Sequence, residues 1–246
     1  MTAEAGGNPP PLTDIDLVIF DKDGTLIAFD AMWGGWAQDL AARLERATSR
    51  PIQEDLFAML GYDRATGRVL PHGGLAATPM AGLRGRTHEL LLSIGLTGED
   101  ADRALDEAWR APDPIGLAHP LTDLVGLFRR LRSHGRKIAV ATTDDRDPTV
   151  RTIEALGVAG LVDAILCADD GVAVKPAPDM VVHLCAQLAV DPSRTAVVGD
   201  SMADLEMGRR AGAARVIGVL TGVGAADQLG SIADLVLASI ADLEFD

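Results

Sequence analysis

Only two cysteines, Cys167 and Cys185, occur in 246 residues, which excludes a disulfide framework; both stand among apolar neighbours where a small buried thiol fits. Basic charge is scarce as well. Twenty-two Lys and Arg against 36 Asp and Glu leave a formal net charge of −14, with no Lys/Arg run. A molecule of that sign repels polyanions, so nucleic acid is excluded as a general partner. No apolar stretch reaches the ~18 residues of a membrane span. The longest candidate, from Val216 to Ala226, is broken by glycines and Thr221. The opening MTAEAGGNPPPLTD lacks the basic and apolar regions of a secretory signal and reads as a loose, disordered tail over residues 1–13. These absences predict a soluble chain in a reducing cytosol, without a membrane partner. What is present is enough apolar sequence, 48% of residues, to bury the core of one or two domains. No internal repeat or low-complexity block stands out.

Hydrophobic periodicity divides the chain. DLVIF, from Asp16, is an apolar run suited to a strand covered on both faces, and it ends abruptly in DKDGTL. From residue 121 onward helical and strand patterns alternate. Helices are predicted over 121–135, 148–156, 178–189 and 202–211, and strands over 136–142, 162–167, 195–199, 215–220 and weakly 235–237. That alternation implies an α/β fold: a doubly wound parallel sheet with right-handed crossovers. Residues 28–117 lack a convincing strand and offer helical spacing at AQDLAARLERA, EDLFAML, THELLLSIG and DADRALDEAWR, so they read as a helical insertion between core segments 14–27 and 118–246. Within it, the Gly- and Pro-rich residues 61–85 predict loops or short helical turns. Trp33 and Trp36, three apart beside Met32, predict a buried stripe.

In an open parallel sheet, ligands bind beyond the carboxyl ends of the strands. After the first strand stand Asp21 and Asp23, two carboxylates that can divide the work of nucleophile or metal ligand and of acid or base. Gly24 follows and lets backbone N–H groups approach an anion. After the second strand, Thr142 and Thr143 offer a hydroxyl and backbone N–H groups at a helix start for a phosphate oxygen. After the third comes Lys175, a cation able to neutralise a carboxylate and a bound phosphoryl group. After the fourth come Asp200 and Asp204, four apart, able to share a face and hold a hard cation through oxygen; Mg²⁺ is the natural choice. Each motif alone has an ordinary reading, as a turn, a solvated lysine or a helix cap. Their order along the chain is what joins them.

That ordered set resembles the haloacid dehalogenase-like hydrolases, in particular their phosphoglycolate phosphatase-like phosphatases. DKDGTL is similar to the first family motif, the Thr of AVATTD to the second, the Lys of VKPAPD to the third and GDSMADLEMG to the fourth. The insertion after the first motif is similar in placement to the family's small helical cap domain. The resemblance implies a Mg²⁺-dependent phosphatase acting on small phosphorylated metabolites through an aspartyl-phosphate. By it, Asp21 is the nucleophile and Asp23 the general acid and base. Thr142 and Lys175 hold phosphate oxygens, with Gly24, Thr25 and Thr143 around the phosphate. Asp21, the Asp23 carbonyl and Asp200 bind Mg²⁺, with Asp204 supporting its waters. Thr143 stands where relatives often have Asn, and Lys22 where an apolar residue is common. A phosphomutase, a haloacid dehalogenase and a non-catalytic binding protein are the rival readings. The joint presence of Asp23 and Asp200 disfavours the dehalogenase, and the complete acid and lysine set disfavours the binding protein. His72, Arg84 and Arg86 are candidate substrate contacts of the insertion, whereas His119, His134 and His183 lack metal-ligand spacing.

Overall fold

Four consecutive apolar residues, Leu17–Phe20, form strand β1, and each is fully buried. Such a run is stable only where both faces of a sheet are covered. In the computed structural model, which describes residues 14–70, 73–78, 80–110 and 118–244, β1 lies inside a six-stranded sheet with parallel pairings throughout. After β1 the chain forms α1 (Phe29–Thr48), α2 (Gln53–Leu60), β2 (Tyr62–Asp63), β3 (Arg68–Val69), α3 (Gly74–Ala77), α4 (Met80–Ser93) and α5 (Gly98–Ala108). It returns to the sheet through α6 (Leu124–Ser133), β4 (Lys137–Ala141), α7 (Arg146–Ala155), β5 (Ala164–Leu166), α8 (Asp179–Leu188), β6 (Thr195–Gly199), α9 (Met202–Ala211), β7 (Arg215–Val219), α10 (Ala226–Gly230) and β8 (Leu235–Leu237). The spatial order is β5-β4-β1-β6-β7-β8.

Alternation along β1 builds two cores. Val18 and Phe20 face one side, where α6 buries Leu124, Leu127, Phe128 and Leu131 at helical spacing and α7 adds Ile153. Phe20 and Phe128 stack with ring centroids 5.4 Å apart. Leu17 and Ile19 face the other side, against Met180, Val181, Leu184 and Cys185 of α8 and Leu205 and Met207 of α9. Helices on both faces make the sheet doubly wound, as expected from the sequence. Both cysteines are free and buried. Among the described residues no helix is long and apolar enough to cross a membrane.

The inserted helical region differs in detail from its sequence pattern. α1 begins at Phe29, well before the expected segment at 37–47, because Met32, Trp33 and Trp36 extend its buried face. Trp33 and Trp36 are buried, and Trp36 meets Trp109 edge to face at 5.3 Å while donating its indole N–H to the Arg110 carbonyl at 2.7 Å. A strand pair, β2 with β3, appears where the sequence predicts none. It is closed by local turn chemistry rather than hydrophobic alternation: Asp63 accepts from the Ala65 N–H at 2.9 Å and the Thr66 hydroxyl at 2.7 Å, and Gly67 takes φ +70°. Arg84 pairs with Asp106 at 2.6 Å within the insertion, Arg86 reaches Thr78 at 3.4 Å, and neither joins the strand-end residues. His72 and residues 1–13 lie outside the described residues. The two chain crossings to the sheet run side by side, with Ala28 N–H on the His119 carbonyl at 2.8 Å and Leu121 N–H on the Leu26 carbonyl at 3.0 Å.

α7 starts at Arg146, earlier than the pattern from Pro148 suggests. Pro148 falls in the first turn, where its missing N–H has no helical acceptor to lose.

Candidate active site

The carboxyl ends of β1, β4 and β6, with the loops after β5 and β7, converge on one cluster. β1 delivers Asp21, whose N–H still bonds the Val198 carbonyl of β6 at 2.9 Å, so the side chain leaves the sheet at a defined point. β6 delivers Asp200, and Ser201 then caps α9. Ser201 and Asp204 form a capping box: the Ser201 N–H and hydroxyl donate to Asp204 Oδ2 at 3.0 and 2.5 Å, and Ser201 Oγ accepts from the Asp204 N–H at 3.3 Å. The ordinary helix-cap reading of GDSMAD therefore holds, and Asp204 uses its other oxygen elsewhere.

Lys175, in the loop between β5 and α8, reaches Asp21 Oδ1 at 2.5 Å and Asp204 Oδ1 at 2.6 Å, and only 4% of its side chain is exposed. Asp200 is held from the β7 side: the Val223 N–H donates to its Oδ2 at 2.7 Å and the Gly224 N–H to its carbonyl at 2.9 Å. Oxygen atoms of Asp21, Asp200 and Asp204 lie within 4.8 Å of one another, and all three residues belong to the buried or nearly buried interior of the cluster. Lys22 is the second buried cation. Its ammonium lies 2.5 Å from Asp23 Oδ2 and 2.9 Å from Asp144 Oδ2.

One sequence expectation needs correction, the placement of Thr142 and Thr143 at a helix start. The Gly24 N–H donates to the Ile27 carbonyl at 2.8 Å. The position requires glycine: φ is +85°, and a Cβ there would stand 2.6 Å from Asp200 Oδ2. Thr142 and Thr143 precede α7 by a short loop instead of opening it, because the helix begins after Asp145. Thr142 is buried and its hydroxyl accepts from the Asp144 N–H at 3.2 Å, while Thr143 is exposed. Thr25 is fully buried, and its hydroxyl has no hydrogen-bond partner among the described residues.

The cluster gathers five carboxylates, Asp21, Asp23, Asp144, Asp200 and Asp204, around two ammonium groups. Its excess negative charge is visible in the acids. Burial pushes Asp21 up to about 6, against the pull of Lys175, and Asp23 up to about 7, against Lys22. Burial, with Asp21 and Asp204 beside it, holds Asp200 well above the ordinary carboxylate range. Both lysines are raised as well, for a different reason: burial favours their neutral form, but two carboxylates on each outweigh it. Asp21 Oδ2 and Asp23 Oδ1 are buried without a hydrogen-bond partner among the described residues. A small divalent cation matches this donor set, for it takes oxygen ligands and balances the excess charge. Asp21 and Asp200 present the freer oxygens, whereas Asp204 Oδ1 is ion-paired with Lys175 and its Oδ2 accepts from Ser201.

Sequence reasoning missed Asp144, Ser201, Thr221 and Gly222 as parts of the site. Thr221 donates its hydroxyl to the Gly24 carbonyl at 2.6 Å, and a Cβ on Gly222 would stand 1.9 Å from Asp200 Oδ2. For Thr221 and Gly222 the signal is the glycine pair of TGVG after an apolar strand, and for Ser201 the helix-cap pattern of GDSMAD.

Known proteins are similar to this chain in sequence and in fold. A protein of Dickeya dadantii named probable phosphatase IndB is 36% identical over 218 residues, 87% of this chain and 84% of the relative. A phosphoglycolate phosphatase of Aquifex aeolicus is 26% identical over 196 residues, 80% of this chain and 81% of that one. The crystal structure of a subfamily IA hydrolase of the same superfamily from Geobacter sulfurreducens has the same fold, with a TM-score of 0.66 at 15% identity over 92% of this chain and 93% of the other. Residues 15–212 match the haloacid dehalogenase-like hydrolase family, and the chain belongs to that family.

Proposed function

We propose that this hydrolase is a Mg²⁺-dependent phosphatase that cleaves small phosphomonoesters through an aspartyl-phosphate on Asp21. The observation that carries the reading is Lys175 bridging Asp21 and Asp204 while Asp21 Oδ2 has no hydrogen-bond partner among the described residues, with Asp200 alongside. A carboxylate tied by one oxygen to a fixed cation keeps the other free for attack.

In the first transfer, Asp21 forms a bond to phosphorus as the ester oxygen leaves, and Asp23 gives that oxygen its proton. In the second, Asp23 takes a proton from water, the water oxygen bonds to phosphorus, and the Asp21 carboxylate departs with phosphate released. Lys175 and Thr142, with the backbone around Thr143, orient the phosphate oxygens, while Gly24 and Thr25 shape the loop behind them. Asp21, the Asp23 carbonyl and Asp200 would hold Mg²⁺, with Asp204 supporting its waters. The ion, when bound, supplies charge to offset the phosphoryl oxygens and the crowded acids. In this reading, residues 28–117 form a cap over the core of residues 14–27 and 118–246, excluding water from the first transfer and selecting the substrate. The relatives' names favour a small phosphorylated metabolite, and the composition favours the cytosol.

The test is phosphate release from a panel of small phosphomonoesters, with and without Mg²⁺, beside Asp21→Asn. Metal-dependent release that falls below ~1% in the variant supports the reading. Activity retained in Asp21→Asn, or no release from any ester, overturns it. Migration of phosphate between positions of a hexose phosphate would assign a mutase instead, and halide release without Mg²⁺ a dehalogenase.

A further inference from the structure

Lys22 stands between the two acids of the first motif, yet none of the steps above uses it. Its side chain is 2% exposed, among the most deeply buried large side chains of the protein. A buried ammonium is costly unless paired, so its partners are chosen by the fold rather than by chance. They are Asp23 Oδ2 at 2.5 Å and Asp144 Oδ2 at 2.9 Å. Asp144 comes from the loop after β4, the strand paired to β1, and its N–H bonds Thr142 Oγ1 at 3.2 Å. The ammonium thus ties the loop after β1 to the loop after β4.

The consequence falls on Asp23. One oxygen, Oδ2, is fixed by Lys22, and the other, Oδ1, is buried with no hydrogen-bond partner among the described residues. A carboxyl group free to rotate would present either oxygen, whereas this one is held with Oδ1 as the unengaged atom. Lys175 treats Asp21 in the same way, holding Oδ1 and leaving Oδ2. Building on the phosphatase reading, we propose that Lys22 is a positioning residue that clamps Asp23 against Asp144, so that Asp23 Oδ1 is aimed at the leaving-group oxygen. The proton then passes from Oδ1 to that oxygen as its bond to phosphorus breaks.

Positioning of the acid can be separated from support of the fold by the leaving group. An alkyl leaving oxygen needs its proton as it departs, and a p-nitrophenyl oxygen does not. The experiment measures kcat/KM of wild type, Lys22→Met and Asp144→Asn on p-nitrophenyl phosphate and on an alkyl phosphate that the wild type turns over, with circular dichroism to confirm folding. Misplacing a reacting group by about 1 Å costs on the order of 100-fold. The expected result is a loss in Lys22→Met at least ~10-fold larger on the alkyl ester than on the aryl ester, with the same selectivity at smaller amplitude in Asp144→Asn. Should Lys22→Met fail to fold, Asp144→Asn decides alone, because it keeps the Lys22 contact to Asp23 and removes only the outer anchor. Equal losses on both esters, or none, overturn the proposal. Failure of the wild type to hydrolyse p-nitrophenyl phosphate or any alkyl phosphate tried would instead overturn the phosphatase reading itself.

Discussion

Gly222→Ala is a one-carbon change aimed at the orientation of Asp200. The added Cβ would stand 1.9 Å from Asp200 Oδ2 and 2.3 Å from its Cγ. Ordinary contact needs about 3.5 Å, so the carboxylate must retreat by about 1.5 Å or the loop must shift as far. The retreat also breaks the 2.7 Å bond from the Val223 N–H that orients Oδ2. Overpacking of this kind costs about 1–3 kcal/mol, which lowers Tm by roughly 2–12 °C in a chain of this size. A metal ligand tolerates only about 0.5 Å of error, so the Mg²⁺ concentration for half-maximal activity should rise about 10- to 100-fold. Thermal melts and Mg²⁺ titrations of phosphate release measure the two effects separately. Gly67→Ala, where a Cβ meets nothing within 4 Å but φ is +70°, isolates the backbone contribution in the insertion. A drop in Tm with unchanged Mg²⁺ dependence would refute Asp200 as a metal ligand. No change in either would refute the loop after β7 as its support.

Ser201→Ala removes the side chain that caps α9 and takes one bond from Asp204. It should cost about 0.5–2 kcal/mol, or about 1–8 °C in Tm. Because Asp204 keeps its 2.6 Å contact with Lys175, kcat/KM should fall less than about tenfold; a larger fall would show that the cap also sets the site. Asp170 is held below the usual carboxylate range by its bonds from Arg146, at 2.6 Å from Nε and 2.5 Å from Nη2. A lowered native pKa stabilises the fold above the unfolded value near 3.9 and loses that contribution as pH falls through the native one. Urea midpoints of wild type and Asp170→Asn should therefore differ at pH 6 and converge as pH is lowered toward 3, and a constant gap would refute the linkage.

Local patterns made much of this protein legible. β1 announces itself as four apolar residues stopped by a turn, and the alternation after residue 121 reports the parallel sheet, because strand and helix periods are written within a few residues of chain. The carboxyl-end rule then places Asp21, Asp23, Thr142, Lys175 and Asp200 near one another without further information. The boundaries of α1 and the β2–β3 pair escaped, since tryptophan packing and an Asp63 turn decide them rather than periodicity.

Sequence alone thus determined the class of fold and the residues at each strand end. Tertiary structure alone decided the pairings: Lys175 with Asp21 and Asp204, Lys22 with Asp23 and Asp144, and Gly24 against Asp200. The physical reason is range. A strand or turn is set by neighbours along the chain, while the partner of a buried charge is set by which strands lie side by side and by the rule that a buried ion must find its counterion there.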